Sequence, residues 1–331
     1  VKKSTIIQYA GGIALAGAGL YLFLRDVSLH ELWNNLVATP PLVVASGIVL
    51  SILTIWLRSL RWNLILPASP AASRKDLFGM VMIAFMVNNF LPARIGEAVR
   101  VVLLWKRNRF TIAESVGSVL IERLMDSFIF LSLFLVPVLL MPQFRSMLPY
   151  AIPLTACAGV AFACLLFYAM FPVPARSIGR KILRIFPERL RTKASGIGKE
   201  LVSNLDWVFS PGKAIVVGIL SFVIIACQVG LLMVLAGPGF PVLAGMFCTA
   251  MAAFGAAIPL SPGYVGTLHA ALKMGLSQFG VETTRATAIA TMFHAMGYVT
   301  VSVIGLYYYF KLGVSFRDVG RAKETLKKEI K

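Results

Sequence analysis

Two stretches decide how this chain folds: Asn88-Asn89-Phe90-Leu91-Pro92-Ala93-Arg94-Ile95-Gly96-Glu97 and Ile258-Pro259-Leu260-Ser261-Pro262-Gly263-Tyr264-Val265-Gly266-Thr267. Each interrupts an otherwise apolar segment, about 77–104 and 242–280, and each has Pro followed four residues later by Gly (Pro92/Gly96 and Pro262/Gly266). Proline removes a backbone donor and blocks a helix interior, and glycine permits the turn that must follow. In both cases a polar connector then leads into a long apolar run. A matching interruption in two similar halves predicts an internal repeat of the kind many transporter folds carry.

The segments around these breaks are membrane-like. Of 331 residues, 58% are hydrophobic and only 14% are charged, with a mean hydropathy of +0.81. A soluble domain of this size needs more charge to cover its surface. Six blocks, about 5–24, 42–66, 115–140, 150–171, 214–236 and 287–311, are each long enough to cross roughly 30 Å of hydrocarbon at about 1.5 Å per residue. The first follows Lys2-Lys3 but is too long for a signal-peptide core and has no clear cleavage site, so it reads as a retained helix. The predicted fold is all-α and polytopic, with six spanning helices and two re-entrant helical hairpins.

Charge sets the orientation. The net charge of +18 would point a soluble protein toward nucleic acid, but here the charge gathers between apolar blocks. If each broken segment leaves on the side where it entered, 27 of the 32 lysines and arginines fall on one face. The positive-inside rule makes that face cytoplasmic and excludes a nucleic-acid role. Both termini are then cytoplasmic, in a cell membrane. Residues 1–140 form a first repeat of two spans, a cytoplasmic-side hairpin and a third span. Residues 141–311 form an inverted second repeat, with a basic cytoplasmic loop at 172–213 and an outward-facing hairpin. Residues 312–331 are a basic tail.

Interrupted backbone at membrane depth survives only when buried in protein or lining a wet cavity. A helix restarting after Pro92 would aim its N-terminal N–H groups at such a cavity, and Arg94 and Arg100 would add full charge, a combination suited to an anion such as phosphate. Asn89 and Glu97 flank the same turn. Glu122 and Asp126 lie four residues apart on one helical face, with Arg123 beside them. Two carboxylates at depth repel unless a cation stands between them, which Arg94, Arg100 or Arg123 can supply. The group then reads as a head-group or proton-responsive site, or equally as a structural ion-pair network. Aligning the halves sets His294 near the place of Glu122 and Tyr298 near that of Asp126. His294 is thus a candidate proton acceptor or head-group ligand, since imidazole titrates near about pH 6.5. His269, just after the second turn, is a weaker candidate.

The remaining features define little chemistry. Cys157, Cys164, Cys227 and Cys248 all fall in apolar blocks without metal-ligand spacing, so they read as packing residues. No nucleophile, metal site or nucleotide-binding loop is visible, so neither an enzyme nor a cofactor is expected. Segment 176–186 and the tail could lie on anionic lipid, although positive-inside topology alone accounts for them. Gly11-Gly12 and Gly17-x-Gly19 would permit the close helix packing of a homodimer.

Asn89, Pro92, Gly96-Glu97, Arg100, then Glu122-Arg123 and Asp126, then Pro262-Gly263 and Gly266 together carry a likeness. Over roughly 5–311 the chain resembles the lysylphosphatidylglycerol synthase transmembrane-region family, whose members are described as flippase-like. The resemblance implies translocation of a polar-headed, anionic or glycosylated lipid by alternating access, with membrane lipids as partners. Bifunctional members carry a soluble transferase domain after the membrane part. This sequence has only a basic tail at that point, so aminoacyl transfer is not implied. The alternative reading is a non-transporting membrane partner that regulates or scaffolds a lipid-synthesising enzyme through its basic loops.

Overall fold

The computed structural model describes residues 29–67, 73–91, 94–108, 110–171, 205–258 and 262–315. The first predicted span, Pro92, most of the basic 172–213 loop and the tail beyond residue 315 lie outside the described residues. Among the described residues the secondary structure is helical, without strands. Ten α-helices follow in order: α1 (Leu29–Val37), α2 (Pro41–Ile65), α3 (Arg74–Phe90), α4 (Ile95–Asn108), α5 (Ile112–Leu140), α6 (Leu148–Met170), α7 (Pro211–Ala236), α8 (Val242–Ala257), α9 (Thr267–Ser277) and α10 (Thr283–Lys311).

Among the described residues, five stretches are long and apolar enough to cross a membrane: Pro41–Ile65, Ile112–Leu140, Pro142–Phe167, Pro211–Ala236 and Thr283–Lys311. They coincide with five of the six blocks read from hydropathy, and most begin a few residues earlier. Local chemistry sets those starts. Pro41 and Pro211 occupy first-turn positions, where a missing N–H costs nothing. Thr111 and Glu114 form a reciprocal capping box at the head of α5. Glu282 caps α10 by accepting the N–H groups of Thr284 and Arg285.

Both interrupted segments are helix–turn–helix pairs that fold back on themselves. In the first, Gly96 packs so tightly on α3 that an added Cβ would lie 1.8 Å from the Ala84 carbonyl oxygen, and its N–H donates to Asn88 Oδ1 at 2.8 Å. In the second, α9 returns along α8, with Gly275 against Met251 and Cys248 and Gly255 against Leu268 and Ala271. The packing partners of the two pairs correspond. Helix α3 lies on α10 as α8 lies on α5, α4 touches α5 as α9 touches α10, and α2 and α7 pack on each other.

The apolar interior falls into two main clusters. One, including Trp62, Leu77, Met80 and Leu104, joins α2, α3 and α4 to the end of α10. The other, including Val138, Phe144, Phe247 and Leu272, joins α5 through α10, with Phe144 stacked on Phe247 at 4.4 Å. Between membrane-length helices such contacts act through close packing, since lipid tails are as apolar as leucine. Cys227 and Cys248 are buried in this packing, whereas Cys157 and Cys164 sit on the outer surface of α6, so the packing role expected for all four cysteines applies to two.

Candidate functional site

The tips of the two broken pairs meet inside the bundle. Gly263, in the left-handed region with φ 59°, sits where a Cβ would come within 2.7 Å of both the Asn89 carbonyl oxygen and the Tyr298 ring. Asn89 Nδ2 donates to the Tyr298 carbonyl at 3.1 Å and to Ser302 Oγ at 2.9 Å, and the Tyr298 hydroxyl donates back to the Asn89 carbonyl at 3.3 Å. From the same first tip, Arg94 donates to the Ala256 carbonyl at 2.9 Å, and its guanidinium lies 5.9 Å from the Tyr264 ring centre. Arg94 (φ 50°) and Tyr264 (φ 60°) are the two non-glycine residues with positive φ among the described residues. Each stands two positions after the proline of its break. A side chain in this conformation costs on the order of 1 kcal/mol, so both turns are held in place by their surroundings.

Behind the first tip lies a dense charge network. Asp126 accepts from Arg58 at 2.7 Å on one oxygen and from Arg61 at 2.6 Å on the other. Glu122 is gripped through both oxygens by Arg100 and also accepts from Arg123 at 2.6 Å. Arg123 reaches Asp126 at 3.4 Å and Glu97 at 3.7 Å, bridging the three carboxylates. Arg61, Arg100 and Glu122 are each about 1% exposed. The Arg100 guanidinium stacks 3.8 Å from the Trp62 ring centre, and Trp62 donates its indole N–H to Ser118. Buried ions survive only when paired and hydrogen-bonded, and this network provides both.

A cavity of about 450 Å³ opens on one side of the network. Its charged wall is Arg58, Arg94, Glu97, Arg123 and Asp126; its apolar wall includes Phe85, Phe130, Phe254 and Phe293. Arg94 Nε, Arg123 Nε and Glu97 Oε2 are buried without a hydrogen-bond partner among the described residues. A second chamber of about 200 Å³ shares Thr54, Gln228, Tyr264 and Phe293 with the first and ends at Asn89, His294 and Tyr298.

The second chamber is lined by neutral polar groups. The Gly266 N–H donates to His269 Nδ1 at 3.2 Å, so the neutral ring carries its proton on Nε2. That nitrogen lies 3.1 Å from His294 Nδ1, and the His294 ring in turn meets the Gly263 backbone carbonyl. The two imidazoles therefore tie the second tip to α10.

The structure divides the residues singled out from sequence into three groups. Arg94, Glu97, Arg123 and Asp126 converge on the large chamber. Arg100 and Glu122 form a buried pair behind its wall. Asn89, His294 and Tyr298 gather at the small chamber, with Gly96, Pro262, Gly263 and Gly266 building the turns. Sequence reading missed Arg58 and Arg61, which it counted as connector charges. Their spacing of three on one helical face, beside Trp62, is the signal that could have placed them inside. It also ranked His269 low, although His269 is the direct partner of His294. Among the described residues, no group of three or more His, Cys, Asp or Glu side chains is arranged to hold a metal ion.

A bundle of membrane-length helices enclosing a charged, two-chambered cavity defines a multi-pass membrane protein. The chain belongs to the lysylphosphatidylglycerol synthase transmembrane-region family, whose model matches residues 9–305. It is 22% identical over 322 residues to a UPF0104 membrane protein of Methanothermobacter thermautotrophicus, covering 92% of this chain and 94% of that protein. It is also 26% identical over 150 residues to a UPF0104 membrane protein of Methanocaldococcus jannaschii, covering 44% of this chain and 43% of that protein.

Proposed function

We propose that this protein moves a polar-headed, anionic or glycosylated lipid between the leaflets of a cell membrane by alternating access. Its head group would enter the two-chambered cavity while its tails stay in hydrocarbon. The observation that carries this reading is the charged wall of the large chamber, where arginine and carboxylate atoms are buried without hydrogen-bond partners among the described residues. Such groups are costly in a low-dielectric interior unless a polar ligand or water completes them. Arg94 would contact the anion directly, with Arg58 and Arg123 contributing charge from positions already shared with carboxylates. Arg100 and Glu122 would stiffen the wall from behind.

In the same reading the two helix–turn–helix pairs are re-entrant hairpins of an inverted repeat, divided at about residue 140, with both termini in the cytoplasm. Three features support this. The hairpin tips touch one another, the packing partners of the halves correspond, and the positive-φ residues stand at matching positions. Inverted repeats of this type exchange access by rocking one half against the other around a central site.

The test is translocation of fluorescent anionic phospholipids in proteoliposomes, comparing wild type with Arg94→Ala. The expected result is lipid movement in the wild type, slowed at least about tenfold in the variant, since one desolvated charge contact is worth roughly 1.5–3 kcal/mol. Absence of movement for every anionic lipid tried, from protein that melts cooperatively and with a proton gradient imposed, would overturn the reading.

A further inference from the structure

Two uncharged polar side chains in the cavity take no part in the ion network. Thr249, on α8, lines the large chamber and is 1% exposed, yet its hydroxyl has no hydrogen-bond partner among the described residues. Other helical threonines here behave differently: Thr54, Thr287 and Thr291 each donate to the carbonyl four residues back. Gln228, near the middle of the apolar helix α7, lines both chambers, and no hydrogen bond joins it to another described residue. The Thr249 hydroxyl, left unsatisfied in an apolar interior, costs free energy that a ligand with a matching group would recover, and half-buried Gln228 offers an amide at the cavity lining.

The charges add a constraint. In and just behind the wall, Arg58, Arg61, Arg94, Arg100 and Arg123 meet Glu97, Glu122 and Asp126, so positive charge is in excess. Arg94 carries part of that excess into the chamber. Arg58 and Arg123 are paired with carboxylates, whereas Arg94 donates to a neutral carbonyl and pairs with no carboxylate among the described residues.

We propose that the cavity is built for a head group made of one anionic phosphodiester joined to a neutral, hydroxyl-bearing moiety. Arg94 and the Thr249 hydroxyl hold the phosphodiester, and Gln228, at the neck between the chambers, takes the hydroxyls. The inference rests on the cavity being a head-group site. It also sets this chain apart from the lipid in its family's name. An aminoacylated head carries ammonium groups, which would face an uncompensated arginine in the chamber.

The experiment is retention of synthetic lipids by the purified full chain, read by native mass spectrometry, alongside the same lipids in the translocation assay. The probes are phosphatidylglycerol, phosphatidic acid, phosphatidylcholine and lysylphosphatidylglycerol. Phosphatidylglycerol is expected to be retained about tenfold better than the choline and lysyl lipids, and several-fold better than phosphatidic acid, as one or two matched polar contacts allow. Gln228→Leu should reduce phosphatidylglycerol to the level of phosphatidic acid and leave phosphatidic acid unchanged. Thr249→Val should weaken both. Gln228→Glu, which keeps the shape and adds negative charge, should weaken both anionic lipids further.

Equal or better retention of lysylphosphatidylglycerol would overturn the proposal, as would an unchanged ratio of phosphatidylglycerol to phosphatidic acid in Gln228→Leu. Selective retention without movement across the bilayer would leave this inference standing and sink the translocation reading. Movement without selectivity would do the reverse.

Discussion

The two helix breaks have the same shape and opposite chemistry. Both place Pro, a positive-φ residue and Gly at matching positions, and both turn a helix back on itself. The first then continues with Glu97 and Arg100 into the ion network, whereas Thr267 and Ala270 hold the equivalent positions after the second. The second is tied down by His269 and His294 through neutral hydrogen bonds. Shape and charge are therefore encoded separately. Proline and glycine repeat because the backbone device repeats, whereas the ion network joins the first break alone among the described residues.

Substitutions can break this comparison at several strengths. The largest loss is expected on the charged side. Glu122→Ala leaves Arg100 buried without its partner and should cost about 3–5 kcal/mol, seen as a lower melting transition in detergent. Replacing the pair together, as Glu122→Leu with Arg100→Met, should recover most of that stability while leaving the cavity wall softer. If the single variant melts like wild type, the network is not what stiffens the first break.

Next come the turns themselves. Gly96→Ala drives a methyl group into the Ala84 carbonyl, and Gly263→Ala adds left-handed strain to a clash with Asn89 and Tyr298. Each should cost about 1–3 kcal/mol, and similar losses would support one shared device. A cost-free Gly263→Ala would show the second turn to be the looser one. His269→Leu should lose about 1–2 kcal/mol by leaving the Gly266 N–H and His294 Nδ1 unpaired, measured by the same melt.

The smallest effect lies at the head of α10. The Thr284 and Arg285 N–H groups hold the Glu282 carboxyl below its usual range. A depressed folded-state pKa means that its contribution is present at neutral pH and fades as acidification carries the pH from the ordinary carboxylate range down through the folded value. Glu282→Gln should cost on the order of 0.5 kcal/mol at pH 7 and nothing at low pH, where the wild-type cap is also protonated. A pH-independent difference would remove the carboxylate cap as the cause.

Hydropathy and the paired Pro/Gly signals made most of the architecture legible. Five helices fall where apolar blocks predict them, and both breaks occur where the prolines stand. Helix starts were read late because the first turns are polar and capped, as at Thr111 and Glu282, and so carry no apolar signal. Helix α1 lies in a stretch that hydropathy passes over. The site was half legible. Glu122, Arg123 and Asp126 stand out because ions inside an apolar run are costly, but Arg58 and Arg61 sit near the end of such a run, where arginine usually marks the membrane surface. Only packing of α2 on α5 turns them inward, onto a carboxylate more than sixty residues away. Thr249 and Gln228 carry no charge and no spacing, and they become conspicuous only when their hydrogen bonds are counted in three dimensions.

The contact of Arg94 with Ala256 and Tyr264 has a thermodynamic corollary. A ligand that draws the guanidinium away releases a carbonyl and an aromatic ring belonging to the other half of the chain. Occupancy of one tip is thus linked to the freedom of the other, and linkage runs both ways with equal free energy. Whatever loosens the second tip must alter, by the same factor, how tightly the first one holds such a ligand.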